Sequence, residues 1–327
     1  MNKFFTQWFA IIGKELADAS RTPLLAVLSL FMLSAGLVAL LVAAMALHAQ
    51  QVDYQSAKEL LLALGKLPDQ LIAPNFQPLL LLRGFIEYVE IIGAVLGIIL
   101  GHRTVTQEKI AGSMAILMTR PLGKLTLLSG KVVANLLLIS IILGLMFALG
   151  TVAITQVGSV SLSLDDLARI AITLGSAIIY VGCFLLLGLL LALWIRRPAH
   201  AILVALSLWL TFTLITPQIG DTLDPDNQVG AGVFRTLGIA KPQEKQIMLS
   251  FAHYETVRDV IEQSSPAKHF ERWSFALLGI KSSYADTPMP KIMQQRRNDA
   301  LWLVGLFIIL LSLIFTRPLN IHNFTKE

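Results

Sequence analysis

Charge is scarce in this chain. Asp, Glu, Lys and Arg supply 14% of its residues, where a soluble domain carries about a quarter. With 55% hydrophobic residues and a mean hydropathy of +0.70, that scarcity excludes an ordinary soluble domain. Cysteine is nearly missing too. Cys183 stands alone, so no internal disulfide forms and the redox compartment is not readable from it. The phosphate-cradling loop GxxxxGK[ST] is absent: Gly65-Lys66, Gly123-Lys124 and Gly130-Lys131 are each followed by Leu or Val, not Ser or Thr. A chain that moves anything with ATP must therefore take the energy from another subunit. The six histidines are scattered, and His253 and His269 lack metal-ligand spacing. No nucleophile elbow and no HExxH appears. The residues thus offer no catalytic centre, cofactor site or metal site. The net charge of +5 reports membrane topology rather than nucleic-acid binding.

What the chain does have is long apolar runs. A span needs ~20 mostly apolar residues to cross ~30 Å of hydrocarbon. Six segments qualify: 24–47, 80–101, 132–155, 168–194, 200–217 and 299–316. The first is too long for a signal-peptide core, and 23 residues precede it. Short loops set orientation. Lys3, Lys14 and Arg21 precede the first span. Arg103, Lys109, Arg120, Lys124 and Lys131 follow the second, Arg196 and Arg197 follow the fourth, and Arg317 and Lys326 end the chain. The other side has Lys58 and Lys66, and residues 156–167 contain no Lys or Arg. This predicts both termini in the cytoplasm of a bacterial inner-membrane, multi-pass, all-α protein. Its expected parts are an interfacial helix at 1–23, five spans over 24–217, an extracytoplasmic α-rich domain at 218–298, and the sixth span with its tail at 299–327.

Three amphipathic stretches stand outside the spans. At the start, Phe5, Trp8, Ile12 and Leu16 form one stripe, with Lys14, Glu15 and Asp18 opposite, as in a helix lying on the membrane surface. In 218–298, Ile247, Phe251, Tyr254 and Ile261 repeat at helical spacing. Ser265 caps a further predicted helix, with Pro266 at its first position and Gly279 at its end. Phe270, Trp273 and Leu277 share a face that suits either the membrane interface or the inside of the external domain. The third stretch, "TQEKIAGSMAILMTRPLGK" at 106–124, carries Ile110, Met114 and Leu117 on one stripe. Thr104 to Gln107 match a capping box, and Pro121 stops the helix one residue after Arg120. A short capped helix at 104–120, joined to a span, suits insertion into a groove on a soluble partner. A rigid helix moves its span when the partner moves, whereas a floppy loop absorbs the motion.

The second span is unusual in carrying Arg83, Glu87 and Glu90. A charge at such depth costs ~2.5–3.5 kcal/mol. Arg83 and Glu87 are spaced to pair at i, i+4, and Glu90 lies one turn further in. These residues either line an outward-open cavity or sit in the external headgroup layer.

"TVTQEKIAGSMAILMTRPLGKLTLLSGKVVANLLL" resembles the signature of ABC-2 type transporter permeases through Glu108, Gly112, Leu117, Pro121, Gly130 and Lys131. "IIGKELAD" at 11–18 is similar to the helix before that family's first span. "SSPAKHF" at 264–270 is similar to the Ser-Pro segment before its last, and the tail "FTRPLNIHNF" fits its short basic ends. The resemblance implies a non-catalytic permease subunit with two permease copies, a homodimer in preference to a heterodimer. It also implies a cytoplasmic ABC ATPase dimer that binds the ATP and Mg. Glu108, Ile110, Gly112, Met114, Leu117, Arg120 and Pro121 would then form the coupling helix that docks on the ATPase. The segment 218–298 is larger than in minimal members and resembles members with a sizeable external domain, some of which work with other envelope proteins. Three functions stay open: export, mechanical relay to an extracytoplasmic protein partner, and ion-coupled transport through Glu87 and Glu90.

Overall fold

The computed structural model describes residues 2–64, 78–110, 123–157, 162–222, 243, 252–285 and 287–316. Its regular elements there are helices, with no strand among the described residues. Helix α1 is Asn2–Ser20, and α2 is Pro23–Ala63. The chain continues through α3 (Pro78–Ile110), α4 (Lys124–Val157), α5 (Leu164–Trp194) and α6 (Pro198–Gly220). Three shorter helices follow: α7 (Ala252–Gln263), α8 (Pro266–Leu277) and α9 (Met289–Gln295). Helix α10 is Arg297–Thr316. Helices α2 to α6 and α10 are the six long and apolar enough to cross a bilayer.

Local chemistry sets several boundaries. Pro23 and Pro198 occupy the first turns of α2 and α6, where a missing N–H costs nothing. Ser163 and Asp166 cap α5 reciprocally, the Ser163 hydroxyl accepting from Asp166 N–H and the carboxylate accepting from Ser163 N–H. The expected cap of α8 is present: the Ser265 hydroxyl accepts from Lys268 N–H at 3.3 Å. Gly279, at φ 64°, ends it in the left-handed region.

Two boundaries differ from the sequence reading. Helix α2 does not stop near residue 47 but runs unbroken for 41 residues, about 60 Å at 1.5 Å per residue. No Gly or Pro interrupts Leu24–Leu64 in a way that would end it; Gly36 instead packs against Met146. Nor does a new helix start at Thr104. The last regular segment of α3 runs from Ala94 to Ile110, so Thr104–Gln107 lie inside it. The Thr104 and Thr106 hydroxyls donate back to the carbonyls of Leu100 and His102, four residues earlier, instead of capping.

The bundle is built around α5, whose Ala177, Tyr180, Val181, Leu185, Leu186 and Leu189 are all buried. Its most extensive partner is α3. The two backbones touch because glycines meet there. A Cβ on Gly97 would fall 2.5 Å from Val181 O, one on Gly101 1.9 Å from Leu185 O, and one on Gly188 2.4 Å from Ile98 O. Small residues four apart let spanning helices approach this closely.

All six spanning helices run alternately up and down. One end of the bundle holds α1, the ends of α3, α5 and α10, and the starts of α2, α4 and α6. We call it the basic end. The opposite end holds α7, α8 and α9.

Candidate functional site

At the basic end, α1 packs along α4. A Cβ on Gly130 would lie 2.9 Å from Ile11 Cγ2, so Gly130 allows the close approach. That approach places four charges together. Lys131 is 1% exposed, and its ammonium donates to Glu15 Oε1 at 2.5 Å, Glu108 Oε1 at 2.9 Å and Thr104 O at 3.1 Å. Lys14 donates to the same Glu108 oxygen at 2.9 Å. Two lysines and two carboxylates from α1, α3 and α4 neutralise one another. Around them, Asn135 donates to Thr104 Oγ1, Trp8 to Ser129 Oγ and Arg103 to Asp18 O. Burial opposes the Lys14 charge, but the hydrogen bond to Glu108 and the fields of Glu108, Glu15 and Asp18 outweigh it and raise its pKa. The Lys14 contribution is therefore complete at neutral pH and fades only as pH climbs past the ordinary lysine range.

This geometry changes two expectations. Glu15, expected on the polar side of a surface helix, turns inward because Lys131 is there. Glu108, expected on a docking face, is 5% exposed and its carboxylate is drawn into the protein by Lys131 and Lys14. Ile110, two residues on, is 65% exposed and faces outward. Gly112, Met114, Leu117, Arg120 and Pro121 lie outside the described residues.

The two lysines that bracket residues 110–123 also reach inward. Lys109 Nζ donates to Ala192 O at 2.5 Å and Ile195 O at 3.1 Å, carbonyls at the end of α5. Lys124 Nζ donates to Phe315 O at 3.0 Å, at the end of α10. Terminal carbonyls lack intrahelical partners and carry the negative end of the helix dipole, so ammonium groups suit them. His102 Nε2 meets Pro198 O at 2.9 Å. A carbonyl only accepts, so this nitrogen carries the proton.

The opposite end uses different chemistry. Arg83 and Glu87 do pair, at 2.9 Å, but on the surface, with side chains 63% and 48% exposed. Glu90 is half-buried, within electrostatic reach of Lys268 and Glu271 on α8. The three residues therefore do not share one environment. Beside them α3 has a π-helical turn at Val89–Gly93, and α6 has one at Leu210–Ile215. Such turns leave carbonyls without their usual donors. Tyr180 OH donates to Glu90 O at 2.8 Å, Ser265 Oγ to Phe212 O at 2.5 Å, and Thr216 Oγ1 to Thr211 O at 2.8 Å. Tyr180 in turn stacks on Phe270, with centroids 4.6 Å apart. Helix α8 thus wedges into the bundle against α3, α5, α6 and α10. Phe270 and Trp273 are buried. Arg169 of α5 donates to Leu277 O and Thr287 O, at 3.0 and 2.9 Å. His269 Nδ1 meets Asp299 Oδ1 of α10 at 2.7 Å.

Six helices long and apolar enough to cross a bilayer, with buried charges near the ends of the second and third that face each other, suggest a multi-pass membrane protein. The family described as "ABC-2 family transporter protein" matches residues 9–317, and the chain belongs to that family. A search of curated proteins finds no match. Membrane subunits of this family are generally non-catalytic permeases, and the family implies a separate ABC ATPase as partner. The signature residues that the sequence scattered over Lys14-Glu15, Glu108 and Gly130-Lys131 are the ones that converge in the ion cluster. The cluster itself, the lysine–carbonyl contacts and the Tyr180–Phe270 stack were not foreseen. The Gly93-x3-Gly97-x3-Gly101 spacing was the available signal for the α3–α5 contact.

Proposed function

We propose that this chain is a permease subunit worked by a cytoplasmic ABC ATPase dimer, with the basic end in the cytoplasm of the inner membrane and both termini there. The segment 104–120 docks on the ATPase through Ile110, Met114, Leu117 and Arg120, with Gly112 and Pro121 shaping it. Glu108 does not touch the ATPase. It roots the segment by holding Lys131 and Lys14. The ATPase holds ATP and Mg. The protein acts as a pair of identical copies, and the stroke drives export or moves the extracytoplasmic segment 218–298.

The observation that carries this reading is the cluster of Lys14, Glu15, Glu108 and Lys131. A linker rooted by buried ion pairs to two other helices transmits displacement, whereas a linker held only by chain connectivity relaxes. The mechanical version, acting on an external protein, is favoured by α8, which is gripped by α5 and α10 and wedged against two π turns. The ion-coupled version loses support because Glu87 is exposed and already paired with Arg83.

The test is affinity purification from membranes with identification of every stable partner. An ABC ATPase is expected to co-purify. Leu117→Asp is expected to abolish that co-purification while the permease still inserts. Full retention of the ATPase by this variant would remove 104–120 as the docking segment.

A further inference from the structure

The lysines that bracket residues 110–123 hold the two spanning helices that grip α8. Lys109 binds the last carbonyls of α5, and Arg169, near the start of α5, binds Leu277 O at the end of α8. Lys124 binds Phe315 O near the end of α10, and Asp299, near the start of α10, binds His269 of α8. Each helix is thus tied at the basic end to one side of the docking segment and at the opposite end to the same wedge. A helix resists compression along its axis through its own hydrogen bonds, so it carries axial displacement over ~1.5 Å per residue with little loss. From this geometry we infer that Lys109 and Lys124 are positioning residues that deliver the partner's stroke along α5 and α10 to α8.

The inference rests on the docking reading but adds a route that chain connectivity does not provide. The segment is covalently joined to α3 and α4. Without the lysines a push on it reaches those two helices directly, and α5 and α10 only through sideways packing against them and each other. With them, α5 and α10 are driven at their ends. The His269 contacts explain why α8 follows. Its ring is held between Asp299 Oδ1 at 2.7 Å and Gln263 O at 3.0 Å and stacks on Trp302 of α10 with centroids 4.4 Å apart. Arg169, besides its two carbonyls, pairs with Asp165 at 2.7 Å, which fixes its own direction.

The test is hydrogen–deuterium exchange in two arms. In the first, the permease alone is placed in lipid nanodiscs. Lys109→Met is expected to speed exchange in the last turn of α5 about fivefold and leave the end of α10 unchanged. Lys124→Met is expected to do the converse. Absence of a rise at a variant's own helix end overturns the mooring, whatever the partner does. In the second arm, the complex with its co-purifying ATPase receives a non-hydrolysable ATP analogue. The wild type is expected to change protection across 266–277. Each Met variant is expected to lose at least about half of that change while still holding the ATPase, and Lys→Arg at the same position is expected to restore it. A full wild-type response in both Met variants overturns the transmission. An absent ATPase in the wild-type preparation overturns the permease reading instead, and the first arm separates the two failures. If Lys109→Met fails to accumulate, Lys109→Gln and the half-buried Lys124 site carry the experiment.

Discussion

Helix α3 is held by different forces at its two ends. At the basic end, α1, α3 and α4 meet through full charges: Lys131 between two carboxylates, and Lys14 beside one of them. At the opposite end, α3, α5, α6 and α8 meet through an aromatic stack and through hydroxyls donated to carbonyls of π turns. Buried ion pairs have a narrow optimum. Losing one partner leaves an uncompensated charge, so the arrangement either holds or fails. Neutral hydroxyl–carbonyl bonds and ring contacts degrade by small steps. The comparison teaches that charge keeps α3 in place at the basic end while contacts that give by small steps hold it at the opposite end, where charge instead ties α8 to α5 and α10 through Arg169 and the His269–Asp299 pair.

The largest effect should come at the charged end. Glu108→Ala leaves Lys131, at 1% exposed, with Glu15 and a backbone carbonyl as its remaining partners in the cluster. The expected loss is about 3–5 kcal/mol, read as a lower unfolding temperature in detergent, with Glu108→Gln losing less. An unchanged unfolding temperature for Glu108→Ala would erase the contrast between the ends. At the opposite end, Tyr180→Phe removes one hydroxyl from Glu90 O while keeping the ring on Phe270. The expected cost is about 1 kcal/mol, measured in the same melt. A loss as large as that of Glu108→Ala would show the two ends to be equally brittle. The smallest effect belongs to Arg83→Gln. It breaks an exposed pair, so stability should move by roughly 0.5 kcal/mol or less, and chemical denaturation should place it within error of the parent.

Much of this was legible in the residues. The apolar runs marked six helices long enough to cross a bilayer, because in hydrocarbon a helix satisfies its own backbone hydrogen bonds. Ser265, Pro266 and Gly279 marked the helix between them because capping is local chemistry. Arg83 and Glu87 were paired by spacing alone. Glu15 and Glu108 were not legible in the same way. A helical wheel places a carboxylate on a polar face and assumes that face meets water. Whether it meets a lysine from a helix more than a hundred positions away, as Glu15 meets Lys131, is a tertiary fact. The same holds for α8, whose amphipathic face read equally well as a membrane-surface helix or a domain helix until its ring stack on Tyr180 placed it inside the bundle.

By itself, the sequence determined the environment and the family. Composition marked the chain as a membrane protein, and a recurring signature placed it among ABC-2 proteins, a family that implies a separate ABC ATPase. Only the tertiary structure decided which charges face each other and which helix ends the flanking lysines hold. Periodicity fixes which side chains share a face, but packing fixes what that face touches, and a buried charge takes its role from its neighbour.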